Sequence, residues 1–174
     1  MSEINTPIGG CCELLNEGLK FRLNDTILVL GARASGKTVF IKNKIYKDLC
    51  NDIEELYIIS NETAYDDLSE YRFKFNNIHS VYENTKNKLV IVDIPINYYS
   101  ANQHLEYLIY NHRHFNITLI LVATDFSFPM RYASNIDIVV TTHIYNNKHV
   151  DNLSKSYAII DKLSILSNLN IDFL

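Results

Sequence analysis

Residues 26–38 of the chain read TILVLGARASGKT, an apolar run that passes directly into a loop with glycine near both ends. The apolar run predicts a strand that is buried on both faces of a sheet. The loop, GARASGKT, fits the pattern GxxxxGK[ST] at every position, and helical periodicity follows it. A strand, this loop and a helix, in that order, form the context in which the pattern wraps nucleotide phosphates.

The spacing of the loop has a physical cause. Glycine permits the backbone angles that turn successive N–H groups inward, and the start of the following helix adds partial positive charge. Lys37 would bring an ammonium to the β- and γ-phosphates, and Thr38 would offer a hydroxyl to Mg²⁺. The alternative is a glycine-containing turn with a chance Lys-Thr pair. We predict a P-loop that binds ATP through one segment, namely Gly31, Ala32, Arg33, Ala34, Ser35, Gly36, Lys37, Thr38 and Val39.

Two further strand ends carry polar residues. Asp93 ends the apolar run 88–93, and a carboxylate at such a position can hold Mg²⁺ directly or through water. A helix then leads to the run 117–123, which predicts a strand inserted between the P-loop strand and the acidic strand. Its tip, Thr124 followed by Asp125, would then face the γ-phosphate and orient a water. The alternatives are a strand-capping acid and an ordinary turn.

Alternation of strand and helix signals predicts an α/β fold with a mostly parallel sheet of five or more strands and helices on both faces. The predicted strands are residues 26–30, 56–60, 88–93, 117–123 and 136–140, and the predicted helices are 36–49, 100–114 and 151–167. We expect one domain over residues 1–174. It would have a lead-in at 1–24, a nucleotide-binding core at 25–142 and a C-terminal helical extension at 143–174.

The composition is that of a soluble globular chain. Of its 174 residues 47% are hydrophobic and 21% are charged, and the net charge of −4 argues against coating nucleic acid through the overall field. Three cysteines, Cys11, Cys12 and Cys50, indicate reduced thiols rather than a disulfide framework. We expect no signal peptide and no contact with a membrane, because no apolar stretch approaches spanning length.

The segment 111–124, NHRHFNITLILVAT, resembles a stretch of the FtsK/HerA superfamily that combines an arginine, a short loop, a strand and a polar sensor. Together with Pro129 and the later residues 134–136, SNI, it is similar to one branch of that superfamily. That branch contains the genome-packaging ATPases of poxviruses and other large DNA viruses. The resemblance covers roughly residues 25–142. The chain is short beside this family, which raises the question of a missing C-terminal part.

The resemblance implies an enzyme, a ring-forming ATPase that threads double-stranded DNA into a capsid. Its partners would be double-stranded DNA, reached through a ring pore or a loop, further copies of the chain, and capsid or other virion proteins. It would act in the host cytoplasm or a virus factory, or in association with the virion. The resemblance suggests Arg113 as an arginine finger for a neighbouring subunit, whereas the local alternative is an arginine that caps its helix. His112 and His114 would be surface residues beside it.

Two departures from the family pattern concern hydrolysis. The family usually has a second acid after the metal-binding Asp, where this chain has Ile94, and a Gln at the position of Thr124. Glu62, which follows the 56–60 strand, is a candidate general base, or else an exposed loop acid. A non-hydrolysing nucleotide-binding module that acts as a scaffold or switch is therefore the main alternative. A small-molecule kinase or GTPase is a third, with no NKxD-type signature and only Arg131 as a lid arginine.

Overall fold

The computed structural model of the chain describes residues 20–60, 63–68, 80–124 and 128–142. Within these residues, five strands form one sheet in which every neighbouring pair is parallel. Three strands keep the predicted bounds, the second begins one residue early, and the fifth begins two residues late and ends one residue late. The strands are β1 (Thr26–Leu30), β2 (Glu55–Ser60), β3 (Lys88–Asp93), β4 (Ile117–Ala123) and β5 (Ile138–Thr141). The predicted helix at 151–167 and most of the lead-in lie outside the described residues.

The strand order is β2-β3-β4-β1-β5, so β4 lies between the P-loop strand and the acidic strand. The predicted insertion is confirmed. Leu30 pairs with Ala123, and Asp93 pairs with Val122, so all strands end at the same edge. We call this the carboxyl edge, and the opposite edge, where the strands begin, the amino edge. Polar residues that follow β1, β3 and β4 are therefore neighbours in space.

The fifth strand begins two residues later than predicted. A 3-10 helix spans Met130–Asn135, and the N–H of Ile136 donates to the carbonyl of Ala133 at 3.2 Å. That bond makes Ile136 the end of the preceding turn instead of the first strand residue. Polar Thr141, which the apolar pattern left out, pairs with Leu30 of β1 and is the last residue of β5.

The helix after the P-loop, α1, follows its predicted course. It consists of an α-helical turn Lys37–Phe40, a π-helical stretch Ile41–Tyr46 and a last turn Lys47–Leu49. Gly36 precedes it with φ 86° and ψ 7°. The wider π-helical turns were not predictable from spacing, because three apolar residues cannot separate a period of 3.6 from a slightly larger one.

The helix predicted at 100–114 begins in the wrong place. Two helices are present instead, α2 (Ile96–Ala101) and α3 (Gln103–Asn111), and a 3-10 turn His112–Phe115 continues α3. The Asn102 side chain accepts hydrogen bonds from the N–H groups of His104 and Leu105, so it caps a new helix. Among the described residues no helix combines the length and the apolar character needed to cross a membrane.

Alternate residues of each strand point to two separate apolar layers. One layer packs Phe40, Ile41, Ile45 and Leu49 of α1 against one face of the sheet. The other packs Leu105, Leu108 and Ile109 of α3 against the opposite face. Each fully buried Leu or Ile contributes about 1.5–3 kcal/mol. Within the described residues, the sheet is thus covered by helices on both faces.

Candidate functional site

The P-loop, Gly31–Thr38, leaves β1 at the carboxyl edge of the sheet. The N–H of Gly31 donates to the carbonyl of Ala123 at 3.2 Å, which ties the start of the loop to β4. Ala34 and Gly36 both have left-handed backbone angles, with φ of 60° and 86°. Left-handed residues alternating with others gather backbone N–H groups into a concavity that binds anions. The loop therefore has the backbone shape that a phosphate site requires.

Lys37 lies at the first turn of α1, and only 8% of it is exposed. Its Nζ donates to the carbonyl oxygens of Gly31 at 2.8 Å and Ala32 at 2.7 Å. The ammonium is therefore held against the first two residues of the P-loop. Because Lys37 is largely buried, a polyphosphate in the loop would be attracted by a cation that water screens less than it screens a surface lysine.

Thr142, which the sequence reasoning missed, packs directly against the P-loop. Its Oγ1 lies 2.6 Å from the Oγ of Ser35, and its N–H donates to the carbonyl of Leu30 at 2.8 Å. A Cβ at Gly31 would collide with Thr142 Oγ1 and would lie 2.6 Å from Ser35 Oγ. Gly31 is thus required for space. Polar residues that follow an apolar strand were the available signal for Thr142, as they were for Asp93.

Asp93 and Thr124 lie beside the P-loop, at the ends of β3 and β4. Both line the same cavity of about 730 Å³, and the described residues of its wall are Arg33, Ala34, Ser35, Gly36, Lys37, Thr38, Val39, Thr63, Ala64, Asp93 and Thr124. One Asp93 oxygen, Oδ2, accepts a hydrogen bond of 2.8 Å from the hydroxyl of Tyr65. The structure thus brings together the predicted loop, acid and strand tip, all at one edge of the sheet.

The side chains at this cavity fit a magnesium ion. Thr38 and Asp93 supply a hydroxyl and a carboxylate, the hard oxygen ligands that Mg²⁺ prefers. Within the described residues no three His, Cys, Asp or Glu side chains cluster as a metal cage would require. Mg²⁺ usually takes one or two protein ligands and fills its remaining positions with water and phosphate oxygens, so this sparse donor set suits it.

The position that follows Asp93 contributes nothing to the cavity wall. Ile94 is 7% exposed and belongs to the apolar layer that packs against α3. An acid at this buried position would lose its hydration unless it found a partner. Glu62 and Asp125, the other predicted acids, lie outside the described residues.

Arg113 lies at the amino edge, away from the P-loop of its own chain. Its Nη2 donates to both carboxylate oxygens of Asp137, each at 2.6 Å, and the Arg113 side chain is 53% exposed. His112, expected at the surface, is only 2% exposed, so that prediction was wrong. Its Nδ1 lies 3.1 Å from the carbonyl oxygen of Ile109, and its Nε2 lies 2.9 Å from Thr26 Oγ1 and 3.2 Å from the carbonyl oxygen of Asn24. Burial lowers the pKa of His112 below its ordinary value. His114 is exposed, as expected.

No protein-family model and no curated protein sequence matches the chain. Solved structures do match it. The genome-packaging NTPase B204 of Sulfolobus turreted icosahedral virus 2, in complex with AMPPCP, has a TM-score of 0.58 and 17% identity. The match covers 77% of this chain and 83% of that chain. The DNA-packaging ATPase B204 of Sulfolobus turreted icosahedral virus has the same TM-score and coverages at 15% identity. This chain has the P-loop NTPase fold.

Proposed function

We propose that the chain binds ATP with Mg²⁺ in the cavity at the carboxyl edge. The observation that carries the proposal is that P-loop, Asp93 and Thr124 line one cavity at the end of the P-loop strand. In this proposal residues 31–39 bind the triphosphate, with Lys37 at the β- and γ-phosphates. Thr38 and Asp93 hold Mg²⁺, whose chemistry is to neutralise the charge that develops on the transferring phosphoryl group.

We further propose that the chain is a motor ATPase that moves double-stranded viral DNA into capsids. The sequence resemblance supports this proposal, and so does a fold shared with viral proteins named as genome-packaging NTPases. Thr124 would orient the attacking water, and Glu62 would serve as its base. The motor would act as a homo-oligomeric ring on DNA and virion proteins, in the host cytoplasm, a virus factory or the virion.

Nucleotide binding is tested with Lys37→Ala. Each hydrogen bond from a charged group contributes about 1.5–3 kcal/mol, and Lys37 would contact two phosphates, so affinity should fall by about 100-fold or more. The affinity for an ATP analogue with Mg²⁺ is measured by titration calorimetry. Lys44→Ala is the matched control, because Lys44 is on the same helix but pairs with Asp48 on the surface. Equal affinity of Lys37→Ala and the native chain would reject the site.

A second candidate function is a nucleotide-binding module that does not hydrolyse ATP. It is favoured by the burial of Ile94 in the core, at the position where the family that the sequence resembles usually has a second acid. Steady-state ATP turnover, measured with and without double-stranded DNA, separates the two. The motor predicts turnover well above that of Lys37→Ala. Tight binding with turnover equal to that variant would favour the module.

Arg113 enters the proposal as a group that acts on a neighbouring subunit. Arg113 lies at the amino edge, the opposite edge of the sheet from its own P-loop. More than half of its side chain is exposed. An arginine delivered to another subunit's nucleotide accelerates phosphoryl transfer by about 10³–10⁵. Arg113→Ala should therefore be inactive alone and regain turnover when mixed with Lys37→Ala, since a mixed ring contains intact sites. Full activity in a proven monomer would remove this role.

A further inference from the structure

The carboxylate of Asp93 has a buried neighbour that the proposed chemistry does not use. Tyr65 is fully buried, and its hydroxyl donates to Asp93 Oδ2 at 2.8 Å. Tyr65 ends a short 3-10 turn, Thr63–Tyr65, in the chain that follows β2. Ser60, the last residue of β2, pairs with Asp93 in the sheet, so this turn is held beside the acid. A phenol is thus fixed against the proposed metal ligand.

The same segment, residues 63–68, is also fastened to the P-loop helix. Lys42 of α1 donates through Nζ to the carbonyl of Ala64 at 3.1 Å and to Asp67 Oδ1 at 2.6 Å. Thr63 and Ala64 line the cavity together with the P-loop. The segment therefore connects the helix that carries the P-loop with the acid that faces it, and Tyr65 makes the last contact in that connection.

We propose that Tyr65 is a positioning residue that orients the Asp93 carboxylate for a magnesium ion and so sets the metal dependence of nucleotide binding. This inference rests on the proposed function. A phenol suits the task because it donates to a carboxylate without bringing a positive charge that would compete with Mg²⁺. Hydrogen-bond partners of metal ligands typically change metal affinity or activity by about 10–100-fold when they are removed.

The alternative is that Tyr65 only fills space. Its ring belongs to the apolar layer on the α1 face, and a buried hydroxyl needs some partner there. The variant Tyr65→Phe keeps the ring and removes only the hydroxyl, so it separates the two roles. If Tyr65 only fills space, Tyr65→Phe should be less stable, and the Mg²⁺ dependence of its nucleotide binding should be unchanged. If Tyr65 positions Asp93, the variant should fold and its nucleotide binding should depend differently on Mg²⁺.

The experiment measures the affinity of the full chain for a non-hydrolysable ATP analogue, first in EDTA and then across a Mg²⁺ titration. With Tyr65→Phe we expect an affinity in EDTA within about twofold of the native chain and a Mg²⁺ half-saturation concentration about tenfold higher. Mn²⁺ bound at the same site gives a second readout by electron paramagnetic resonance. Tyr132→Phe is the control, because Tyr132 is equally buried but donates to the carbonyl of Tyr99, away from the cavity wall.

A double-mutant cycle with Asp93→Asn completes the test. If Tyr65 acts through Asp93, then adding Tyr65→Phe to Asp93→Asn leaves the Mg²⁺ dependence where Asp93→Asn alone puts it. The inference is overturned if Tyr65→Phe binds Mg²⁺ as the native chain does, or if its effect persists in the Asp93→Asn background. A native chain without nucleotide binding would instead reject the proposed function, and that result is visible before any Tyr65 variant is made.

Discussion

Two buried lysines lie at opposite edges of the sheet. At the carboxyl edge, Lys37 donates to two carbonyls of the P-loop and lines the cavity of about 730 Å³. At the amino edge, Lys88 is fully buried and donates to three carbonyls, those of Asn84, Lys86 and Phe115. Burial lowers the pKa of Lys88. Carbonyl partners alone therefore do not mark a functional lysine; the adjoining cavity and the left-handed loop distinguish Lys37.

If this contrast is right, Lys88→Met should damage the fold and spare the site. Three carbonyls would lose their donor, and an unpaired buried polar group costs about 1–3 kcal/mol, partly offset because no ammonium is buried. We expect the free energy of unfolding in urea to fall by about 3 kcal/mol, with nucleotide affinity unchanged in the folded fraction. Lys86→Met is the control, since its exposed ammonium bonds to Glu55 and should contribute less than about 1 kcal/mol. Equal losses in the two variants would contradict the contrast.

Gly31→Ala tests the carboxyl edge. In contrast to Lys88→Met, it should reduce the affinity for nucleotide. The added methyl would collide with Thr142 Oγ1 and press on Ser35 Oγ, and overpacking costs about 1–3 kcal/mol. The strain falls on the P-loop, so nucleotide affinity should drop about tenfold or more. Adding Thr142→Ala removes the colliding oxygen and should restore much of the affinity. No recovery in the double variant would mean that Gly31 is needed for another reason.

The carboxyl edge was largely predictable from the sequence, whereas the amino edge was not. GARASGKT and the apolar run before Asp93 carry local signals, because backbone shape and a strand end depend on neighbouring residues. The position of β4 between β1 and β3 was predicted from the order of strands and helices along the chain, and the structure confirms it. Lys88 could not be placed, because its partners are backbone carbonyls that leave no mark in the sequence. His112 and Tyr65 bond to side chains far away along the chain, 86 residues to Thr26 and 28 residues to Asp93, and no local pattern predicts such contacts.

His112 makes the amino edge sensitive to acid. Its pKa in the folded chain lies below the ordinary value of 6.5, so the unfolded chain takes up a proton first as pH falls. Stability is therefore complete above pH 6.5 and declines below it, by at most about 1.4 kcal/mol per pH unit. Urea denaturation between pH 7.5 and 5 measures the slope. His112→Gln should flatten it and His114→Gln, at an exposed position, should not; the same slope in all three chains would contradict the assignment.

The smallest effect on stability is expected at the ion pair of Arg113 and Asp137. The Arg113 and Asp137 side chains are 53% and 34% exposed, and such pairs contribute less than about 1 kcal/mol. Asp137 also accepts a 2.7 Å hydrogen bond from the N–H of Thr26, which is buried, so Asp137→Ala should cost about 1 kcal/mol more than Arg113→Ala. Urea denaturation of both variants tests that order.

A small stability loss in Arg113→Ala would sharpen the comparison of the two edges. Any fall in ATP turnover could then not be attributed to unfolding, and mixing with Lys37→Ala would show whether Arg113 serves another subunit. A loss of more than about 2 kcal/mol, well above the exposed-pair range, would make Arg113 a structural residue of the amino edge, like Lys88. The stability of Arg113→Ala therefore decides whether a fall in its turnover can be interpreted as the loss of a catalytic group or must be attributed to a damaged fold.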